Sequence, residues 1–269
     1  MQSAKIHKLL EKDVQKVAKA AGCIAPNFKT DEIHAFRVGI KKLRAFIHFI
    51  NSVKGQPQLK LTKKINRLYS IAGTLRDAHL KYETLTEREL ILPQYYANLS
   101  IIVLRNKAEW QKLYSKQVMK KLHEQITDNL FVQLTPADLA NFYARQIKKI
   151  KKINNDVPDD EHVHKMRKLI KHMLYITALA KKRWEGAEEV IACIPYGQLI
   201  DISTLIGSFN DGSILLHELS SFSSMSMQQQ EATAIARYVD ETLARHKTLR
   251  KDLLRQISDF VNVVEERLA

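Results

Sequence analysis

Glycine and proline are scarce, at 8 and 6 in 269 residues. So few breakers cannot divide the chain into many short strands and turns, and long helices are the default. Cysteine is nearly absent. Cys23 and Cys193 are too few and too distant in sequence for a disulfide framework or a Cys-rich zinc site. No early stretch has the charged, apolar, small-residue order of a cleaved signal, and MQSAKIHKLLEKDVQKVAKAAG is spaced as an amphipathic helix. No uninterrupted apolar run is long enough to span a bilayer. A soluble chain in the reducing cytoplasm is expected. A Walker loop, a paired-carboxylate constellation and a nucleophile motif are also missing, so the sequence predicts no enzyme.

Acid is in short supply too. There are 29 Asp and Glu against 43 Lys and Arg, a formal net charge of +14. Such an excess repels itself in a compact chain and attracts polyanions: nucleic acid, an anionic membrane surface or a phosphate-rich ligand. The local deficit is sharpest in HAFRVGIKKLRAFIHF, residues 34–49, which has no acid at all.

What is present is helical periodicity. Ile6, Leu9, Leu10, Val14 and Val17 share one face, and GCIAPNF is expected to end that helix. TDE opens the next, with Thr30 or Asp31 as N-cap, and KGQPQ closes it after about Ser52. Residues 58–90 predict a helix bent near Gly73, and residues 92–128 contain one long amphipathic helix. Thr135 and Pro136 predict an N-cap and first helical position. NNDVPDDEH leads into a helix from about Asp160 to Trp184, residues 187–221 and 227–266 supply the last helices, and SSFSSMSMQQQE reads as a loop.

The chain also resembles itself. HAFRVGIKKLRAF from His34 aligns with HKMRKLIKHMLYI from His164, both reading His-x-x-Arg-x-x-x-Lys. Downstream, IAGTLRDAHLKYETL and LIGSFNDGSILLHEL share a glycine four residues before an aspartate, Gly73/Asp77 and Gly207/Asp211. Two matches in the same order predict a duplication, with halves 1–130 and 131–269.

On a helix, His34, Arg37, Lys41, Arg44 and His48 fall within a sector of roughly 80°. Phe36, Ile40, Leu43, Phe46 and Ile47 cover most of the rest, so the helix is apolar over a wide arc with a narrow cationic seam. A solvated face normally mixes Lys with Glu, because like charges a turn apart repel. The second copy repeats the seam with His164, Arg167 and Lys171, flanked by Lys168 and Tyr175, but Leu174 and Ala178 replace Arg44 and His48. Lys60, Lys63 and Arg67 add cations on one face of the following helix, continued by Ser70 and Thr74; Arg76 follows. Arg offers a planar fork to two oxygens and Lys a mobile point charge, a combination suited to phosphate.

Weaker candidates have plainer readings. His34 and His164 could be satisfied helix-start histidines. The groups His34/His48 and His162/His164/His172 lack Cys or carboxylate company, so no metal or cofactor is expected. Arg245, Lys247, Arg250, Lys251 and Arg255 alternate with Glu241 and Asp252 as a solvated face, and Trp110 and Trp184 fit packing roles.

The run His34-x-x-Arg37-x-x-x-Lys41-x-x-Arg44, the downstream Leu75-Arg76-Asp77 and the second pair of motifs resemble the CHAD family, the conserved histidine α-helical domain, over nearly the whole chain. The resemblance implies one CHAD domain over 1–269, all-α, of two pseudo-symmetric four-helix bundles around a basic central channel or cleft. It also implies binding of inorganic polyphosphate, with phosphate or sulfate able to occupy the site, and association with polyphosphate granules or triphosphate-metabolising enzymes. His34, Arg37, Lys41, Arg44, His164, Arg167 and Lys171 carry over as lining residues. The departures are Leu174 and Asn210, the latter standing where the first half has Arg76. The rival reading is a nucleic-acid-binding helical protein, which needs aromatics interleaved with cations on an exposed face. Phe36, Phe46 and Phe49 fall on the apolar arc instead.

Overall fold

The computed structural model describes residues 3–53, 58–127, 133–156, 158–223 and 229–268. The protein is all-α, with no strand among the described residues. It divides into two compact units, Gln2–Gln133 and Leu134–Ala269.

The first unit holds α1 (Ser3–Asn27), α2 (Thr30–Ser52), α3 (Lys63–Glu87), α4 (Pro93–Leu113) and α5 (Lys116–Thr127). α2 lies between α1 and α3, α3 packs on α4, and α5 returns against α1. Ile6, Leu10, Val14, Val17, Ala21 and Ile24 form the buried stripe of α1. That stripe carries α1 through the expected break at GCIAPNF to Asn27, with Pro26 tolerated in its last turn. The helix ends at Phe28, a left-handed residue (φ 51°) whose N–H donates to the Ile24 carbonyl at 2.7 Å. The α2 N-cap is Lys29, not Thr30 or Asp31, and no side chain caps it. Asp31 and Glu32 in the first turn favour the positive end of the helix dipole instead. α1 and α2 approach closely at Gly39, where an added Cβ would lie 2.5 Å from Val17 Cγ2.

α3 starts later than its periodicity predicts. The Thr62 hydroxyl accepts from Ile65 N–H at 3.2 Å and sets the start at Lys63. Lys60 therefore precedes the helix and does not share a face with Lys63 and Arg67. α3 runs unbroken through Gly73. The single helix expected over 92–128 is two. Tyr114 is extended and Ser115 Oγ accepts from Val118 N–H at 3.3 Å, a local cap that restarts the helix as α5. The KGQPQ terminator lies, except for Gln58, outside the described residues.

The second unit holds α6 (Pro136–Asn155), α7 (Asp160–Arg183), α8 (Glu188–Ala192), α9 (Tyr196–Ser223) and α10 (Gln229–Leu268). α7 lies between α6 and α9, α9 packs on α10, and α10 closes against α6. Thr135 and Asp138 form the reciprocal capping box that starts α6. Asp159 caps α7 by accepting from His162 N–H at 2.8 Å. The helix expected over 187–221 is broken at Cys193–Pro195, since Pro195 lacks an N–H and its ring excludes the preceding turn. The predicted SSFSSMSMQQQE loop is shorter than expected. Residues 220–223 end α9 and 229–231 begin α10, and the intervening 224–228 lie outside the described residues. Among the described helices α9 is long and apolar enough to cross a membrane, with mean hydropathy 1.2 over its window. Asp201 and Asp211 interrupt it, and Leu199, Ile202, Ile206, Phe209 and Leu219 are buried, as in a core helix.

Candidate functional site

In the first unit the wide apolar arc of α2 is buried: Ile33, Phe36, Ile40, Leu43, Ala45, Phe46, Ile47, Phe49 and Ile50. The seam is what remains accessible. His34 is exposed, and Arg37, Lys41, Arg44 and His48 are half-buried. Burial of the arc fixes the direction of the seam, which looks along α3.

Arg37 lies across α3 at Gly73. A Cβ there would overlap Arg37 Nη1, so a side chain at this position would displace the guanidinium from where it lies. Nη1 donates to the Tyr69 carbonyl at 3.5 Å, and Nη2 stands 4.0 Å from Asp77 Oδ1. Arg44 stacks on the Tyr69 ring at 4.0 Å and donates to Asn66 Oδ1 at 2.7 Å. The same ring lies 5.1 Å from the Arg37 guanidinium, so Tyr69 sits against both arginines. Partial burial lowers the Arg44 pKa, and the Arg37 charge adds to this against the opposing influence of Tyr69. His34 is also lowered from 6.5, first by desolvation and then by Arg76, Lys41 and Arg37, with Asp31 opposing weakly. Five sequence-predicted residues from two helices, His34, Arg37, Lys41, Arg44 and Arg76, therefore act on one another electrostatically.

Two others go elsewhere. Arg67 makes a bidentate ion pair with Glu109 of α4, at 2.6 and 2.7 Å, which holds the Glu109 carboxyl below its ordinary range. Lys63 is exposed at the start of α3. Tyr69, Asn66 and Gly73 were not among the expected contributors. Their contacts to α2 span 22 to 36 residues of sequence, and no local pattern announces them.

The second unit places His164, Arg167 and Lys171 on α7 as α2 places its copies, but surrounds them differently. His164 Nδ1 donates to Asn210 Oδ1 at 2.6 Å if the ring carries its proton there, and Asn210 Nδ2 donates to Asp211 Oδ1 at 3.3 Å. Arg167 has its Nε buried without a hydrogen bond. Desolvation, then the Arg167 charge, lowers the Lys171 pKa, and Asp211 opposes them. Beyond its own helix, no atom of the described residues comes within 4 Å of a Cβ placed on Gly207, so no side chain fills a notch there as Arg37 does at Gly73. Lys168 is exposed, while Tyr175, Leu174 and Ala178 are half-buried. Trp110 and Trp184 are buried packing residues. No group of three or more His, Cys, Asp or Glu among the described residues is placed to hold a metal ion.

This arrangement can hold an anion with several oxygens, by charge and by directed N–H donors. Comparison with known proteins agrees with the fold. A model of the CHAD domain matches residues 8–220. The crystal structure of the CHAD domain from the plant Ricinus communis is similar, with a TM-score of 0.73 at 18% identity, covering 97% of this chain and 92% of that one. A search of curated proteins returned no match.

Proposed function

Because the chain belongs to the CHAD family, we propose that it is a non-catalytic receptor for inorganic polyphosphate, with α2 and α3 of the first unit as its main binding surface and α7 as a second. The observation that carries this is the gathering of cations from α2 and α3 around His34. Burial first, then Arg76, Lys41 and Arg37, disfavour its protonation, and Asp31 opposes them least. A polyanion relieves that repulsion, which gives the cluster a reason to bind one. Placement of the same motif on α2 and α7 also supports reading the two units as copies of one ancestral bundle.

The test is fluorescence anisotropy with end-labelled polyphosphate. Binding is expected to be tight and to weaken steeply with salt. Duplex or single-stranded nucleic acid at equal phosphate concentration is expected not to compete, and incubation with magnesium or manganese is expected to release no phosphate. Displacement by nucleic acid moves the assignment to a nucleic-acid binder, and released phosphate makes the protein an enzyme.

A further inference from the structure

The outward side of α4 has no part in the basic seams. Within α4 only Tyr95, Leu99 and Trp110 are buried. Gln94, Ala97, Ile101, Leu104, Ala108 and Gln111 recur at alternating intervals of three and four residues, and all are exposed. On a helix of about 3.6 residues per turn they form one stripe opposite the buried side. Ile101 and Leu104, at its centre, are 64% and 66% exposed. Three-four spacing of this kind is how a helix meets another helix. A contiguous apolar face in solvent, unlike a scattered leucine, marks an interaction surface.

Charge selects the occupant. Arg105 and Lys112 are exposed along one edge of the stripe and Lys107 stands on the other. The sole acid of α4, Glu109, is held by both oxygens to Arg67. A second copy of α4 would set like charges against each other, whereas a helix with acidic edges would pair with them.

We propose that this face of α4 docks an amphipathic helix of a partner protein, with aliphatic residues at its contact positions and Glu or Asp along its edges. The site stands apart from polyphosphate binding and does not depend on it. The probe is a labelled designed helical peptide with Leu at contact positions and Glu at the edges, alongside a twin carrying Lys at the edges. Titrated with the full-length protein, the acidic peptide binds saturably and the Lys twin binds at least about tenfold more weakly. Ile101→Ser with Leu104→Ser weakens the acidic peptide by on the order of tenfold while polyphosphate binding is unchanged. Both substitutions are on the surface, and circular dichroism checks that the helices remain. Lys41→Glu with Arg76→Glu leaves the peptide affinity unchanged, which shows that the basic seam is not capturing it. The proposal is overturned if no saturable binding is seen, if the Lys twin binds equally, or if affinity follows Lys41 and Arg76 instead of Ile101 and Leu104. A dimer abolished by Ile101→Ser and Leu104→Ser would assign the face to a second copy, and capture of anionic vesicles lost in that variant would assign it to lipid; either result overturns the partner helix.

Discussion

The two units surround the same motif differently: His34 of the first stands among cations, whereas His164 of the second has a hydrogen-bond partner. In both, His-x-x-Arg-x-x-x-Lys lies on the helix that packs between two others. On α2, Arg37 fills the Gly73 notch, Arg44 stacks on Tyr69, and His34 is repelled by Arg76. Beside α7, Asn210 of α9 aligns with Arg76 in sequence and bonds His164, while Asp211 favours charge on Lys171 against burial and the Arg167 charge. At these aligned positions the first unit thus has a repelling cation and the second a hydrogen-bond partner. The motif alone therefore does not set its electrostatic surroundings; its neighbours on α3 and α9 do.

Charge reversal breaks the comparison most directly. Lys41→Glu with Arg76→Glu removes two cations and inserts two repelling anions. At roughly 1.5–3 kcal/mol per charge-assisted contact, polyphosphate affinity should fall on the order of a hundredfold or more. Lys168→Glu with Lys171→Glu should cost several-fold only. Anisotropy titrations at one fixed salt concentration measure both, and equal losses would erase the distinction between the units.

The internal bond of the second unit is tested by Asn210→Ala. Asn210 is 8% exposed, and its loss leaves the His164 ring without that partner. A cost of about 1–2 kcal/mol in folding stability is expected, read from urea unfolding. Arg76→Ala in the first unit should cost less, because His34 gains from removal of a repelling charge. The reverse order would mean that Arg76 supports the fold.

The paired glycines give a smaller effect. Gly207→Ala adds a methyl group where nothing lies within 4 Å, in mid-helix, and should stabilise by up to about 1 kcal/mol. Gly73→Ala offers the same helical gain but displaces the Arg37 guanidinium. Its thermal stability should lag behind Gly207→Ala, and its polyphosphate affinity should fall where that of Gly207→Ala does not. Matched melting curves and titrations separate the two.

The sequence exposed what local periodicity controls. The α2 bounds at Ser52, its wide buried arc and the Thr135–Pro136 start of α6 all follow from spacing and capping chemistry within a few residues. It hid what depends on distant partners. Spacing alone turns Arg67 toward a ligand, since its partner Glu109 lies 42 residues away, and makes Asn210 a missing cation, since its partner His164 lies 46 residues away. The interruption at Tyr114–Ser115 was local but subtle. Apolar spacing continues across it, and only the Ser115 cap shows that the helix restarts.

Acid–base behaviour gives the smallest effect and separates the units by pH window. His34 and His79, both in the first unit, have folded pKa values below 6.5. Desolvation is the first cause for each. Arg76, Lys41 and Arg37 then act on His34 against Asp31, and Lys107 and Arg76 act on His79 against Glu83. Between the lowered values and 6.5 the unfolded chain binds more protons than the folded one, so stability rises with pH there. The contribution is present above that window and is lost as pH falls through the folded values. Lys171, lowered from 10.5, has the same sign, but its window is alkaline and belongs to the second unit. Melting temperatures between about pH 8 and 5.5 should therefore fall on acidification, and less steeply in His34→Gln. On the proposed reading, polyphosphate would offset the three cations beside His34, so its affinity for the wild type should rise as pH falls over the same interval. His34→Gln should flatten that rise while a His164→Gln variant keeps most of it. If both variants flatten it equally, the histidines of the two units face the ligand alike, and the asymmetry argued from Arg76 and Asn210 does not extend to binding.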